Sequence, residues 1–185
     1  MSVMSDGEIK KAIKDGLLEV SGFNEIYIGP SSLDLHLDNK AMILDSYKFR
    51  RNECMHFSDR EKSAEKFTEY NDWNEIIIYP GEFYILSSIE KIKFADNIVG
   101  FIQGRSSVAR MGINIHAAGY FDAGFEGTAT LEVTNFTKYP IIIPKYTRIC
   151  QMVFMKTGKP AEIPYSKKKD SKYQGQSGPT VTNIH

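Results

Sequence analysis

Between Gly104 and Asn135 the chain reads GRSSVARMGINIHAAGYFDAGFEGTATLEVTN, and the residues best suited to chemistry are gathered there. Arg105, Ser106 and Ser107 open the stretch and Arg110 follows before Gly112, a pattern for a turn into a short helix. Free backbone N–H groups and a cationic side chain at such a turn suit an anion. Three glycines, Gly119, Gly124 and Gly127, alternate with Tyr120, Phe121 and Phe125, so the backbone can turn sharply while aromatic rings anchor it. Asp122 stands in the middle of this loop. From Thr128 to Thr134 the residues alternate, with Ala129, Leu131 and Val133 on one face and Thr128, Thr130, Glu132 and Thr134 on the other. The stretch therefore predicts a strand that carries a carboxylate, Glu132, on its polar face.

Taken singly, each of these residues has a plainer reading. A strand glutamate is usually solvated. Arginines that bracket a short helix usually make structural ion pairs, and Ser106 suits a helix N-cap. The histidines His36, His56, His116 and His185 fit no metal-ligand spacing, and the His-x-Glu and Pro-Cys-x-x-Cys pair of a zinc nucleobase deaminase is missing. No bound zinc is expected. Lys167, Lys168, Lys169 and Lys172 read as a solvated tail, or beside Tyr173 as a triphosphate clamp.

The framework around this stretch is mainly β. With 185 residues, 42% of them hydrophobic, the chain can bury one core and needs no second domain. Lysine plus arginine balances aspartate plus glutamate at 23 each, which excludes the bulk basic field of a non-specific nucleic-acid binder. Cys54 and Cys150 suggest neither a disulfide framework nor a zinc site. The amino terminus lacks a signal-peptide core and no apolar run is long enough to span a bilayer, so a soluble, cytoplasmic protein with no membrane partner is expected.

Ser5 and Glu8 have capping-box spacing, and Ile9, Ala12, Ile13 and Leu17 recur at helical intervals, which predicts an N-terminal helix ending near Gly16. Leu33, Leu35 and Leu37 alternate with Asp34 and His36, a half-buried strand with a possible ion pair on its polar face. Residues 50–74 are rich in charge, and Ser58 with Glu61 fits a brief helix or a surface excursion. Strands are expected at 76–79, 83–87, 98–103, 113–116, 128–134, 141–143 and 148–155, an all-β barrel or jelly roll. Beyond Lys156 the apolar pattern is lost, so the tail is either disordered or orders over a ligand.

Together these motifs resemble the dCTP deaminase family, which shares the fold of the trimeric dUTPases. The resemblance covers nearly the whole chain: SDGEIKKAIKDGLL, IGPSSLDLHL, YPGEFYILSS, GFIQGRSSVARMG, GYFDAGFEGTATLEVTN and, in the tail, KYQGQSGPT preceded by Tyr165. It implies a dUTPase-like β-barrel or jelly roll with a short N-terminal helix and a few short helices. Residues 1–163 would form the domain and 164–185 its C-terminal lid. The implied reaction is hydrolytic deamination of dCTP to dUTP and ammonia. Glu132 would be the proton shuttle, helped by Ser106 and Arg110, with the backbone carbonyl of Ala118 holding the attacking water. Arg105 and Ser107 would hold phosphate oxygens, Asp122 the 3′-hydroxyl, and Tyr165, Lys172 and Gln176 would close on the triphosphate. The family is a homotrimer with sites between subunits, and Mg2+ rides on the triphosphate.

Two positions depart from the family. The loop from Ile115 through Ala118 to Gly119 is one residue shorter than the deaminase pattern, which bears on inhibition by dTTP, and His36 stands where arginine is more frequent. The resemblance also admits a bifunctional enzyme that goes on to cleave dUTP to dUMP and pyrophosphate, a pure dUTPase, or a silent nucleotide sensor. Glu132 argues against the dUTPase, which has no use for a carboxylate at C4.

Overall fold

The computed structural model describes residues 2–116 and 118–182, with His116 described by its backbone alone; Ala117 and His185 lie outside the described residues. A two-residue strand, β1 (Ser2–Val3), precedes the helix α1 (Asp6–Lys14). Ser5 accepts from the Glu8 N–H while Glu8 reaches back to the Ser5 N–H, the reciprocal cap that their spacing predicts. Ile9 and Ala12 are buried; Leu17 lies past the helix and is 39% exposed, so Leu18 takes the core position instead. β2 (Leu18–Val20), β3 (Ile28–Gly29) and β4 (Ser32–His36) follow, and Leu33 and Leu35 bury one face of β4.

β5 (Lys40–Leu44) and β6 (Phe67–Asn71) bracket the charge-rich segment, which contains the helix α2 (Arg60–Ala64). Its N-cap is Asp59, which accepts from the Lys62 N–H at 3.2 Å, so the cap is Asp59 and not Ser58. A carboxylate also complements the positive end of the helix dipole. β7 (Glu75–Ile78) and β8 (Phe83–Phe94) come next. β8 runs well past Ser87, because the fully buried Ser88 hydroxyl donates to the Glu90 carbonyl (2.8 Å) and accepts from the Ala129 N–H (2.9 Å). The remaining elements are β9 (Ile98–Gly104), α3 (Ser106–Ala109), β10 (Ile113–His116), β11 (Tyr120–Phe121), β12 (Glu126–Asn135), β13 (Ile141–Pro144) and β14 (Arg148–Lys156).

One sheet runs β11-β9-β14-β4-β3 with β1 against β14, and the other runs β10-β12-β8-β5-β6 with β2 against β8. β13 and β7 form a separate ribbon. The strand pairings are antiparallel. One apolar cluster draws on both sheets, with Leu35, Leu86, Leu131, Ile149 and Phe154 fully buried in it. The fold is mainly β with a few short helices, as the sequence predicts. Among the described residues no helix is long and apolar enough to cross a membrane.

The polar face of β4 does not pair internally. Asp34 meets Arg105 and Arg148, and His36 Nδ1 lies 2.6 Å from Glu90 Oε1 while the His36 backbone N–H donates to Glu90 Oε2 at 3.0 Å. An ion-pair partner thus remains available to the imidazole at this position.

Candidate active site

Glu132 lies in β12 with strands on both sides, in register with His116 of β10 and Ile85 of β8. Ala129, Leu131 and Val133 are fully buried beneath it, so the alternation fixes its side chain on the opposite face. That face opens on a cavity of about 660 Å³. Glu132 and Thr130 line it, with the apolar side chains Phe83 and Ile85 beside them.

Ala118 and Asp122 line the same cavity from the loop between β10 and β12. Phe121 and Phe125 hold this loop, their rings edge to face at 4.9 Å, while the Phe125 N–H donates to the Asp122 carbonyl at 3.1 Å. Burial, and to a lesser degree the charge of Asp122, pushes the Tyr120 phenol above its ordinary pKa, which keeps a neutral hydroxyl donor in the lining.

The tail lies along the domain. Tyr165 sits next to Phe125, ring centroids 6.0 Å apart, and its hydroxyl accepts from the Tyr173 N–H at 3.1 Å. Further on, the Gly175 N–H donates to the Glu126 carbonyl (2.7 Å), the Thr128 N–H to the Gln176 carbonyl (3.1 Å) and Gln176 Nε2 to the Thr128 carbonyl (2.7 Å). The tail thereby occupies the edge of β12 that β10 leaves open, since β10 covers only Glu132 to Asn135. Gly127 makes this approach possible: a Cβ there would lie 3.0 Å from Gln176 Cγ and 3.1 Å from its carbonyl oxygen. Tyr165 and Gln176 line the cavity; Lys172, half-buried in the tail, is not among its lining residues.

The other expected group is elsewhere. Arg105, Ser106, Ser107 and Arg110 belong to α3 and its ends, and none of them lines this cavity. Arg105, not Ser106, holds the N-cap position of α3, and no side-chain cap bond is made there. Ser106, Ser107 and Arg110 are exposed. Arg105 Nε pairs with Asp34 at 3.2 Å, the structural ion pair that its sequence position also allows.

Sequence reading missed one wall of the cavity. Met55, His56, Phe57, Arg60 and Ser63, from the charge-rich segment, also line it. Phe57 is 87% exposed, with the Arg60 guanidinium stacked over its ring at 5.0 Å. Two apolar residues, Met55 and Phe57, among many charges were the available signal. Among the described residues no three His, Cys, Asp or Glu side chains are grouped to hold a metal ion.

The dCTP deaminase-like family model matches residues 3–157. A protein from Methanosphaera stadtmanae named "dCTP deaminase, dUMP-forming" is 38% identical over 187 residues, covering 100% of this chain and 94% of that protein. A protein of the same name from a Sulfurihydrogenibium species is 40% identical over 182 residues, covering 98% of this chain and 97% of that protein. Among solved structures, 2′-deoxycytidine 5′-triphosphate deaminase from Agrobacterium tumefaciens superposes with a TM-score of 0.64 at 21% identity, over 84% of this chain and 48% of that one. That likeness shows a shared fold. On the extent of the family match and the identity to both relatives, this chain belongs to the dCTP deaminase-like family.

Proposed function

We propose that the protein converts dCTP and two waters to dUMP, ammonia and pyrophosphate, first deaminating the base and then cleaving the triphosphate. The observation that carries this reading is that Glu132 and Asp122 line one cavity together with Tyr165 and Gln176 of the tail. The names of the relatives aligned along nearly the whole chain favour the dUMP-forming reaction over deamination that stops at dUTP.

In the first step water adds to C4 of cytosine and Glu132 carries one of its protons to N3; the same carboxylate then takes the proton of the new C4 hydroxyl and passes it to the amino group, so that the C4 carbonyl forms as the C4–N bond breaks and ammonia leaves. One residue can serve each transfer because a carboxylate both accepts and returns a proton. Ala118 would hold the attacking water through its carbonyl. Ser106 and Arg110 would polarise that water and hold the pyrimidine, with the Arg110 cation balancing Glu132. Because these two lie away from the cavity in their own chain, a neighbouring copy in a homotrimer would supply them. Arg105 and Ser107, with Lys172, Tyr165 and Gln176, would hold the triphosphate, and Asp122 the deoxyribose 3′-hydroxyl. Magnesium, which prefers phosphate and water oxygens, would be carried by the triphosphate.

Incubation with dCTP and magnesium, followed by chromatography, tests the proposal. dUMP and pyrophosphate should appear together without accumulation of dUTP. Accumulating dUTP with no pyrophosphate would reduce the reading to deamination alone, and no product from dCTP would overturn it.

A further inference from the structure

Three adjacent strands, β9, β14 and β4, bring Arg105, Arg148 and Asp34 to one end of their sheet. The register places Arg148 opposite His36 but Cys150 opposite Leu35, so β14 carries one extra residue, Ile149. Without this bulge the side-chain alternation would point Arg148 to the core face; with it, Arg148 shares the face of Asp34. Ile149 and Cys150 are both fully buried, as the bulge requires. Asp34 Oδ1 then forms an ion pair with Arg105 Nε at 3.2 Å and Oδ2 accepts from Arg148 Nη1 at 3.3 Å, while Arg105 Nη1 donates to the Arg148 carbonyl at 3.4 Å.

One carboxylate shared by two guanidinium groups leaves a net positive charge. Each guanidinium has five N–H donors, and these contacts use only a minority of them. The Asp34 side chain is 15% exposed, whereas that of Arg148 is 48% exposed and Ser106 and Ser107 are exposed residues just beyond Arg105. We infer that Arg148 is a further polyphosphate-binding residue beside Arg105, and that Asp34 is the positioning residue that holds the two guanidinium groups as a pair. The identity of the anion rests on the proposed function; the pair itself rests on the bulge and the shared carboxylate.

Calorimetric binding of inorganic triphosphate to the full chain reads this site without any chemistry. Arg148→Gln should weaken triphosphate binding about tenfold, the loss of one charge-assisted contact, and raise the KM for dCTP similarly with kcat within about twofold. Arg148→Lys should restore part of the affinity. Asp34→Asn is the sharper variant: it makes the patch more positive, so electrostatics alone predicts tighter binding, whereas a positioning carboxylate predicts weaker binding. Thermal melting of each variant checks that the fold is kept. Wild-type affinity in Arg148→Gln, tighter binding in folded Asp34→Asn, or no triphosphate binding by the native protein would overturn the inference. If the native protein binds triphosphate through Arg148 yet makes no product from dCTP, the site stands and the proposed function falls.

Discussion

Glu132 and Arg110 come from the same 32-residue stretch but are presented in opposite ways. Glu132 sits in a strand paired along both sides, above three fully buried residues, and faces a cavity. Arg110 ends a one-turn helix, is exposed, and takes no part in lining that cavity. A strand in the middle of a sheet suits a group that must be aimed at one atom. A one-turn helix on the surface suits groups offered to another molecule, and the contrast is what a site completed by a second copy requires.

The contrast sharpens most under Glu132→Gln. Deamination should fall by roughly 10³ or more, because the variant keeps size and hydrogen bonding but loses both general-acid and general-base roles. Hydrolysis of added dUTP should fall less than about tenfold, since the proposed second step would use a different water. Chromatography of the products from each nucleotide separates the two activities.

Deleting the chain after Ile163 should lower turnover by roughly 10² and leave the core folded, because the tail adds only a covering edge to β12 and, in the proposed role of a lid, would exclude water. Activity and thermal melting, measured together, check this. Full activity in the truncated protein would mean that the tail is only an appendage.

Phe57→Ala probes the wall contributed by the charge-rich segment. The KM for dCTP should rise about fivefold with kcat nearly unchanged, as expected for lost ground-state binding. Unaltered KM and kcat would place that wall outside the site.

The smallest effect is expected from Gly127→Ala. Its new methyl group must displace Gln176, so the tail loosens and the KM should rise about twofold to threefold with a melting temperature lower by a degree or two. Steady-state kinetics against dCTP reads it.

Much of this was legible in the sequence wherever a local rule decides the outcome. The Ser5 and Glu8 cap, the leucine alternation of β4 and the face that carries Glu132 all follow from period and spacing. The extension of β8 was not legible, because it depends on the buried Ser88 finding partners in Glu90 and Ala129. The cavity wall around Phe57 was hidden for a related reason: Met55 and Phe57 sit in a charge-rich segment without apolar period, and only tertiary placement brings them to the cavity that Glu132 lines. The bulge at Ile149 is likewise a property of pairing between strands, which no single strand announces.

If each site joins Glu132 of one copy to Arg110 of the next, as proposed, subunit mixing reveals it. Glu132→Gln and Arg110→Gln chains should each be inactive in deamination alone. Co-expressed in equal amounts, they should recover about one quarter of the wild-type rate, because random assembly of a cyclic oligomer gives that share of sites both intact residues. A mixture that assembles but stays as inactive as its components would rule out the shared site, since it would place both residues in a site made by one chain.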